Sequence, residues 1–451
     1  MALTRLIVRL SINLPFISAS RRGGFSRNAG RLRPILGSAA LAAAAGFAPA
    51  QSAERVLYSF KGGIDGAIPA AGLIFDSKGA LYGTTRNGGG FSNPNFGTVF
   101  KLTPPAPEQT LWTEKVLYSF KGGADGGGPL AGLIADTTGA LYGTTSGQNL
   151  GNGTVFKLTP PAAGKTLWTE TVLYSFKGGT NGAVPVAGLI FGSKDGLFGT
   201  TQFGGTSNFG TVFKLKPPAP GQTLWTEKVL YSFTGGTDGG RPAAGLIFGS
   251  KDGLFGTTQF GGTSGNGTVF KLKPPAPGHT LWTEKVLYSF KGGTDGGRPT
   301  AGLIFDAHGA LYGTTNYLGF VGTVFKLTPP AAGQTLWTET VLYTSMGGTD
   351  GARLDAGLIF DASGALYSTT FYGGTSGFGT VFKLTPPVPP ATKWTESVLY
   401  SFKGGPTGFG DGSNPAAGLI FGSKDGLFGT TFGGGNFRGA SNDGTVFKLK
   451  Q

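Results

Sequence analysis

The sequence has no cysteine among its 451 residues. That excludes disulfides, thiolate metal sites and a cysteine nucleophile. Histidine is almost as scarce, with only His279 and His308. Neither stands beside a serine or carboxylate in a matching motif, so a His-dependent triad or a multi-histidine metal site is not expected. Charged residues make up only 13% of the chain. No GxxxxGK[ST] stretch occurs. The many Gly-x-Gly strings join strand-like runs and do not open a helix, so they do not make a phosphate cradle. Past residue 50 there is no helical period and no apolar run long enough to cross a bilayer as a helix.

The formal net charge of +14 suggests a nucleic-acid binder at first sight. Residues 1–50 account for half of it, with seven Arg and no Lys, Asp or Glu. The rest of the chain has 30 basic and 23 acidic residues, a mild excess with no Lys/Arg run. No nucleic-acid partner is expected.

Those first 50 residues read as an export leader. Arg21, Arg22, Arg27, Arg31 and Arg33 precede the run "ILGSAALAAAAGFAPA", which ends in the A-x-A pattern Ala48-Pro49-Ala50. Cleavage after Ala50 or Ala53 fits. The mature protein is then expected to be secreted, periplasmic or at the cell surface, without an integral membrane span. The domain layout is a leader at 1–50 and one domain over 51–451.

What the sequence has in abundance is glycine (84 residues), phenylalanine (36) and repetition. "VLY" recurs at Val56, Val116, Val172, Val229, Val286, Val341 and Val398, about every 57 residues. "AGLI" follows each copy, then "LYGTT" or "LFGTT" (once "LYSTT", at Ser368), then "GTVFKL". These runs are short, β-branched or aromatic, and separated by Gly, Pro, Asn and Asp, as strands are. Four strands per repeat, seven times, specify an all-β, seven-bladed β-propeller of four-stranded blades. We label the strands a (AGLIFD), b (ALYGTT), c (GTVFKL) and d (WTEKVLYSF), from the axis outward. The chain begins with a lone d strand, residues 54–60, and ends after a lone c strand. The first strand is therefore expected to complete the last blade and close the ring, which hides both edges.

The stretch "ALYGTTRNGG…FGTVFKLTP" resembles the GloVer-type tandem repeat of exported bacterial proteins, also called choice-of-anchor repeat proteins. The resemblance covers residues 54–451. It implies export and implies little about activity. Relatives often carry a C-terminal anchoring segment; here the sequence stops at Gln451, just after the last strand, so anchoring by that route is not expected.

Strand direction puts the d–a and b–c loops on one face of the ring and the a–b and c–d loops on the other. In the d–a loops an acidic position, Asp65, Asp125, Asn181, Asp238, Asp295, Asp350 and Asp411, is each time followed by Gly, as in an Asx turn. One carboxylate per blade is too sparse for a calcium site, so no metal and no cofactor are expected. Each c strand has a Lys and each d strand a Glu near their shared loop. Cross-strand ion pairs are expected, Lys101 with Glu114 and, at the closure, Lys448 with Glu54. The six Trp all begin d strands and are expected on the blade rim or the Pro-Pro loop.

Departures from the repeat locate the candidate site. Three neighbouring d–a loops carry an Arg three residues after the Asp: Asp238/Arg241, Asp295/Arg298 and Asp350/Arg353. The third adds Ser345, Met346, Leu354 and Asp355. Phe203, Phe209, Phe260, Tyr317, Phe320, Phe371, Tyr372 and Phe378 lie in the b–c loops of the same face. Arginine and aromatic faces suit acidic sugars. The chain thus reads as a monomeric, non-enzymatic binding or scaffold propeller, its partner a polysaccharide or a cell-surface protein. Alternatives are a polysaccharide lyase or hydrolase, a lactonase-like hydrolase, for which Asp350 and Asp355 are the unrepeated carboxylate pair, or a purely structural envelope protein.

Overall fold

A computed structural model describes residues 53–450, apart from 91–94, 149–150, 194–195, 318–320, 405–409, 423–425 and 436–441. The expected leader lies outside the described residues. The chain forms seven four-stranded antiparallel sheets, each in the order a–b–c–d. In blade 1 these are Ile74–Phe75, Leu81–Thr85, Thr98–Thr103 and Thr113–Ser119. The seventh blade consists of Ile420–Phe421, Gly426–Thr431 and Thr445–Lys450, with Glu54–Ser59 as its outer strand. Glu54 stands opposite Leu449 and Ser59 opposite Thr445, so the first strand does close the ring.

The repeat sequence explains these layers. Strand b lies between neighbouring blades and buries every residue of LYGTT. Strand c buries Val99, Phe100 and Leu102 completely. Strand d alternates exposed and half-buried positions, as an outer strand with one wet face should. The glycine of strand b is a packing requirement. A Cβ at Gly83 would lie 2.6 Å from the Phe100 ring of its cross-strand partner. In blade 6 Ser368 stands at this place, and its hydroxyl donates to the Gly357 carbonyl at 3.1 Å.

The core sits between blades. One cluster joins Tyr82, Val99, Leu117 and Phe120 of blade 1 to Leu141, Phe156 and Leu158 of blade 2. Another joins Leu57, Phe60, Phe428 and Val446 of blade 7 to Leu81, Phe100 and Leu102 of blade 1. Side chains from both sides thus remove each other from water at every boundary, the closing one included. Threonine hydroxyls of strand b stitch the same boundaries. Thr84 donates to the Ala131 carbonyl and Thr144 to that of Ala187, both at 3.1 Å. Thr430 donates to Ala71 at 3.1 Å, 359 positions away in sequence.

The expected Lys–Glu pairs do not form. The register sets Lys101 opposite Lys115 and Glu114 opposite Leu102. A shift of one residue turns a side chain to the other face of a sheet. Lys101 therefore turns to Asp76 of its own blade at 3.3 Å and covers the Tyr82 ring, while Glu114 turns into a blade boundary. At the closure Lys448 stands opposite Arg55, with its ammonium 5.2 Å from the Phe428 ring centroid, and Glu54 opposite Leu449. The tryptophans pack across blades: Trp168 lies 6.4 Å from Tyr82 and Trp112 6.5 Å from Phe428.

Candidate functional site

Each d–a loop passes through one residue in the left-handed conformation just before strand a. These are Ile68, Gly128, Val184, Arg241, Arg298, Arg353 and Asn414, with φ between 53° and 64°. The conformation is unfavourable for large and β-branched residues. It is held by a bond to the preceding blade: the Arg241 N–H donates to the Phe209 carbonyl and that of Arg298 to Asn266, each at 2.7 Å. The scaffold therefore fixes the backbone here and leaves the side chain free to differ.

In three successive loops that side chain is a guanidinium laid over aromatic rings. Arg241 stacks between Phe203 of blade 3 and Phe260 of blade 4, at 5.0 and 5.2 Å from the ring centroids. Arg298 covers Phe260 at 5.2 Å. Arg353 lies 4.4 Å from Phe371 and 5.7 Å from Tyr372. Phe371 in turn meets Tyr372 at 4.8 Å and Phe432 of blade 7 at 6.1 Å. Cations and rings thus alternate around one side of this face, and each contact orients a planar fork of donors.

Of the four candidate carboxylates, one joins an arginine. Asp355 accepts from Arg353 Nε at 2.7 Å and from Asn316 Nδ2 at 2.6 Å. Asp238, Asp295 and Asp350 turn away into their own loops. Asp238 accepts from Tyr231 Oη at 3.1 Å and from the Thr234 N–H at 2.8 Å. Asp295 binds Tyr288 Oη and the Lys291 N–H, and Asp350 binds Tyr343 Oη at 2.7 Å. Each faces a half-buried glutamate of the next blade, Glu284, Glu339 or Glu396. Burial first, and then the neighbouring Asp, pushes these glutamates up to about 7. Asp350 and Asp355, the unrepeated carboxylates, thus have separate hydrogen-bond partners. Among the described residues, no group of three His, Asp or Glu is placed to hold a metal ion.

Two of the aromatics have a packing role. Phe209 lies against Gly235 and Gly240 of the next loop, and Phe378 against Gly404, so close that a Cβ at Gly235 or Gly404 would overlap the ring. Tyr317 ends a strand b and pairs through its backbone with Val321. Its side chain, like Phe320, lies outside the described residues. Sequence reasoning missed Gln202, Gln259 and Asn316, which follow the Thr-Thr of strand b. Gln202 donates to Gln259 at 3.5 Å. The signal was present, because this position varies from Arg86 to Ser146 to Phe432 between copies.

The outliers of the third loop compensate one another. Ser345 stands where other copies have a buried Phe, and Leu354, fully buried, stands where they have Pro. Leu354 joins the cluster of Val324, Leu358 and Phe382 and refills the boundary.

Cavities of about 280 and 530 Å3 open on the opposite face, between blades 3 and 4 and blades 4 and 5. Phe198, Phe248 and Trp282 line the first, and Phe255, His308 and Trp337 the second. They occur where Gly192 and Gly249 replace the Asp76 of blade 1, and Phe198 and Phe255 its Tyr82.

The Arg298 Nε–H is buried and has no hydrogen-bond partner. Leaving such a donor unmet costs about 1–3 kcal/mol. The arrangement can hold anionic groups through oriented guanidinium donors.

Residues 42–247 and 146–336 match the family model described as the Gloeobacter/Verrucomicrobia repeat. No curated protein resembles the chain closely enough in sequence to count as a relative. Among solved structures, the periplasmic gluconolactonase PpgL of Pseudomonas aeruginosa is 17% identical with a TM-score of 0.46, covering 74% of this chain and 86% of its own. The Cps50 (Swd1) β-propeller domain of Myceliophteria thermophila is 11% identical with a TM-score of 0.47, covering 88% and 100%. The soluble aldose sugar dehydrogenase of Escherichia coli is 11% identical with a TM-score of 0.40, covering 88% and 99%. At these values no functional argument rests on the likeness.

Proposed function

The chain belongs to the Gloeobacter/Verrucomicrobia repeat family, and from that premise we propose that it is an exported, non-enzymatic propeller that binds an acidic polysaccharide on its d–a and b–c loop face. The observation that carries this reading is the Arg298 guanidinium, held over Phe260 beside Arg241 with its Nε–H buried and unmatched. The residue as a whole is only half-buried, so a carboxylate or sulfate group of a sugar chain would meet the outer donors of this stacked guanidinium. The spacing of one arginine per blade over three blades suits a polymer that repeats its charge. Tyr372, 40% exposed, offers a ring edge and a hydroxyl beside Arg353. The arginine-rich and then alanine-rich leader supports a location outside the cytoplasm.

Affinity electrophoresis of the protein through polygalacturonate and through neutral dextran tests the proposal. Retardation by the acidic polymer, lost in Arg298→Gln and Arg241→Gln with the circular-dichroism spectrum unchanged, is the expected result. Equal migration in both gels, or retardation untouched by the two substitutions, would overturn it.

A further inference from the structure

The opposite rim carries a second surface, which stands independently of the arginine site. In the first five blades the c–d loop reads T-L-W-T-E. Its leucines, Leu111, Leu167, Leu224, Leu281 and Leu336, are each 80 or 81% exposed. A single exposed leucine needs no explanation. Five at the same place in successive blades, on one face of a closed ring, form a repeated apolar rim.

The loops hold these side chains out in a fixed pose. Each loop closes a tight turn, with the Gln109 N–H donating to Ala106 at 3.0 Å and the His279 N–H to Ala276 at 2.9 Å. On the far side of the leucine, the half-buried Trp anchors the chain against the neighbouring blade. The carbonyl just before the leucine is clamped by a base from the preceding blade. Arg55 donates to Thr110, Lys115 to Thr166 at 3.4 Å, Lys228 to Thr280 at 3.2 Å and Lys285 to Thr335 at 3.3 Å. Four of the five leucines therefore have a cation beside them. The blade 2 residue at the clamp position is Thr171, so Leu224 lacks one.

The exposed charge of the c–d loops is mainly basic. Lys165 and Lys393 stand exposed in the loops, and Glu108 is the acidic residue found there. The d-strand glutamates turn into the blade boundaries. Nearer the axis, Asp76, Asp136, Asp306 and Asp361 are paired with c-strand lysines, and Asp252 stands exposed in the a–b turn of blade 4. Apolar tips set among unneutralised cations complement a surface that is anionic outside and apolar just beneath.

We infer that the rim of c–d loops docks on an anionic phospholipid bilayer, with the five leucines entering the interface and the clamp bases meeting the headgroups. Each contact is weak, and the ring presents them together, so binding depends on their number.

The test is cosedimentation of the full chain with sucrose-loaded vesicles, either of phosphatidylcholine alone or with 30% phosphatidylglycerol. The partner protein carries all five leucines as serine. Both proteins keep residues 1–50, so the difference between them isolates the rim. Preferential binding to the anionic vesicles is expected, falling about tenfold in the serine variant and weakening as salt rises. Lys115→Gln with Lys285→Gln should lower binding to the anionic vesicles alone. Equal binding by the wild type and the serine variant would overturn the inference, as would equal binding to both vesicle types. Size-exclusion showing an oligomer that the serine substitutions disperse would also overturn it and assign the rim to self-association.

Discussion

Asn181 donates its side-chain amide to Glu227 at 3.1 Å across the boundary between blades 2 and 3. The other six boundaries have an aspartate where Asn181 stands, facing a glutamate of the next blade. In all seven, one glutamate oxygen is buried without a partner. Glu227 thus has a donor where its counterparts have a like charge. Asn181→Asp removes the donor and adds the charge. We expect it to lower stability on the order of 1–2 kcal/mol at pH 8 and by less at pH 5, measured by urea denaturation at the two values.

The glutamates also set how the whole ring responds to pH. Burial, reinforced by the facing aspartate, pushes Glu54 and Glu114 from 4.5 up to about 8, and Glu170, Glu284, Glu339 and Glu396 to about 7. The folded state then holds protons that the unfolded chain releases above 4.5. Stability from these groups is complete below that value and is lost as pH rises through about 7 to 8. The aspartates of the a–b turns act in the other direction. Hydrogen bonds from Ser363, Ala365 and Tyr367 hold Asp361 down at about 2 despite its burial, so its contribution is lost as pH falls toward that value. Calorimetry should therefore give the highest melting temperature near about pH 4–5, with a decline from there to pH 8.

Leu354 and Ser345 form a compensating pair, which a double-mutant cycle can expose. Leu354→Ala should cost about 2–4 kcal/mol, the usual loss for a buried leucine. Ser345→Phe alone should overpack the boundary. Ser345→Phe combined with Leu354→Pro restores the residues of the other blades and should recover most of the stability. Additive losses in denaturant melts would refute the coupling.

Arg241 offers a sharper test of the ligand face than its removal does. Arg241→Lys keeps the charge but gives up the planar fork stacked between Phe203 and Phe260. Binding to polygalacturonate should fall by about tenfold or more, since lysine cannot reproduce an oriented bidentate donor. Affinity unchanged in a titration would mean that charge alone carries the contact.

Much of this was legible in the sequence because a repeat shows its own alignment. Seven copies fixed four strands per blade, and the lone d strand at the start against the lone c strand at the end fixed the closure. The Lys101–Glu114 pair was misjudged because proximity to one loop does not decide which face a side chain takes. A one-residue offset decides it, and no copy reveals that offset. The Asp65–Glu114 encounter was hidden for a different reason: its members lie in different blades, and only the packing of whole sheets brings them together. Ser345 and Leu354 were noticed as departures, yet their meaning was volume, which a one-dimensional comparison does not weigh. The arginines were found because their scaffold position is constant and their side chain is not.

The bond from Thr430 to Ala71, 359 positions apart, gives the molecule a seam and a timetable. Six blades are made of neighbouring hairpins and form from local contacts. The seventh must wait for the end of the chain to be present, and only then can Glu54–Ser59 find its partner. Non-local closure of this kind is slow. Until it happens, the first and last strands are open edges able to capture a second chain. The closure of the ring therefore reduces to whether one short strand, Glu54–Ser59, has found its place.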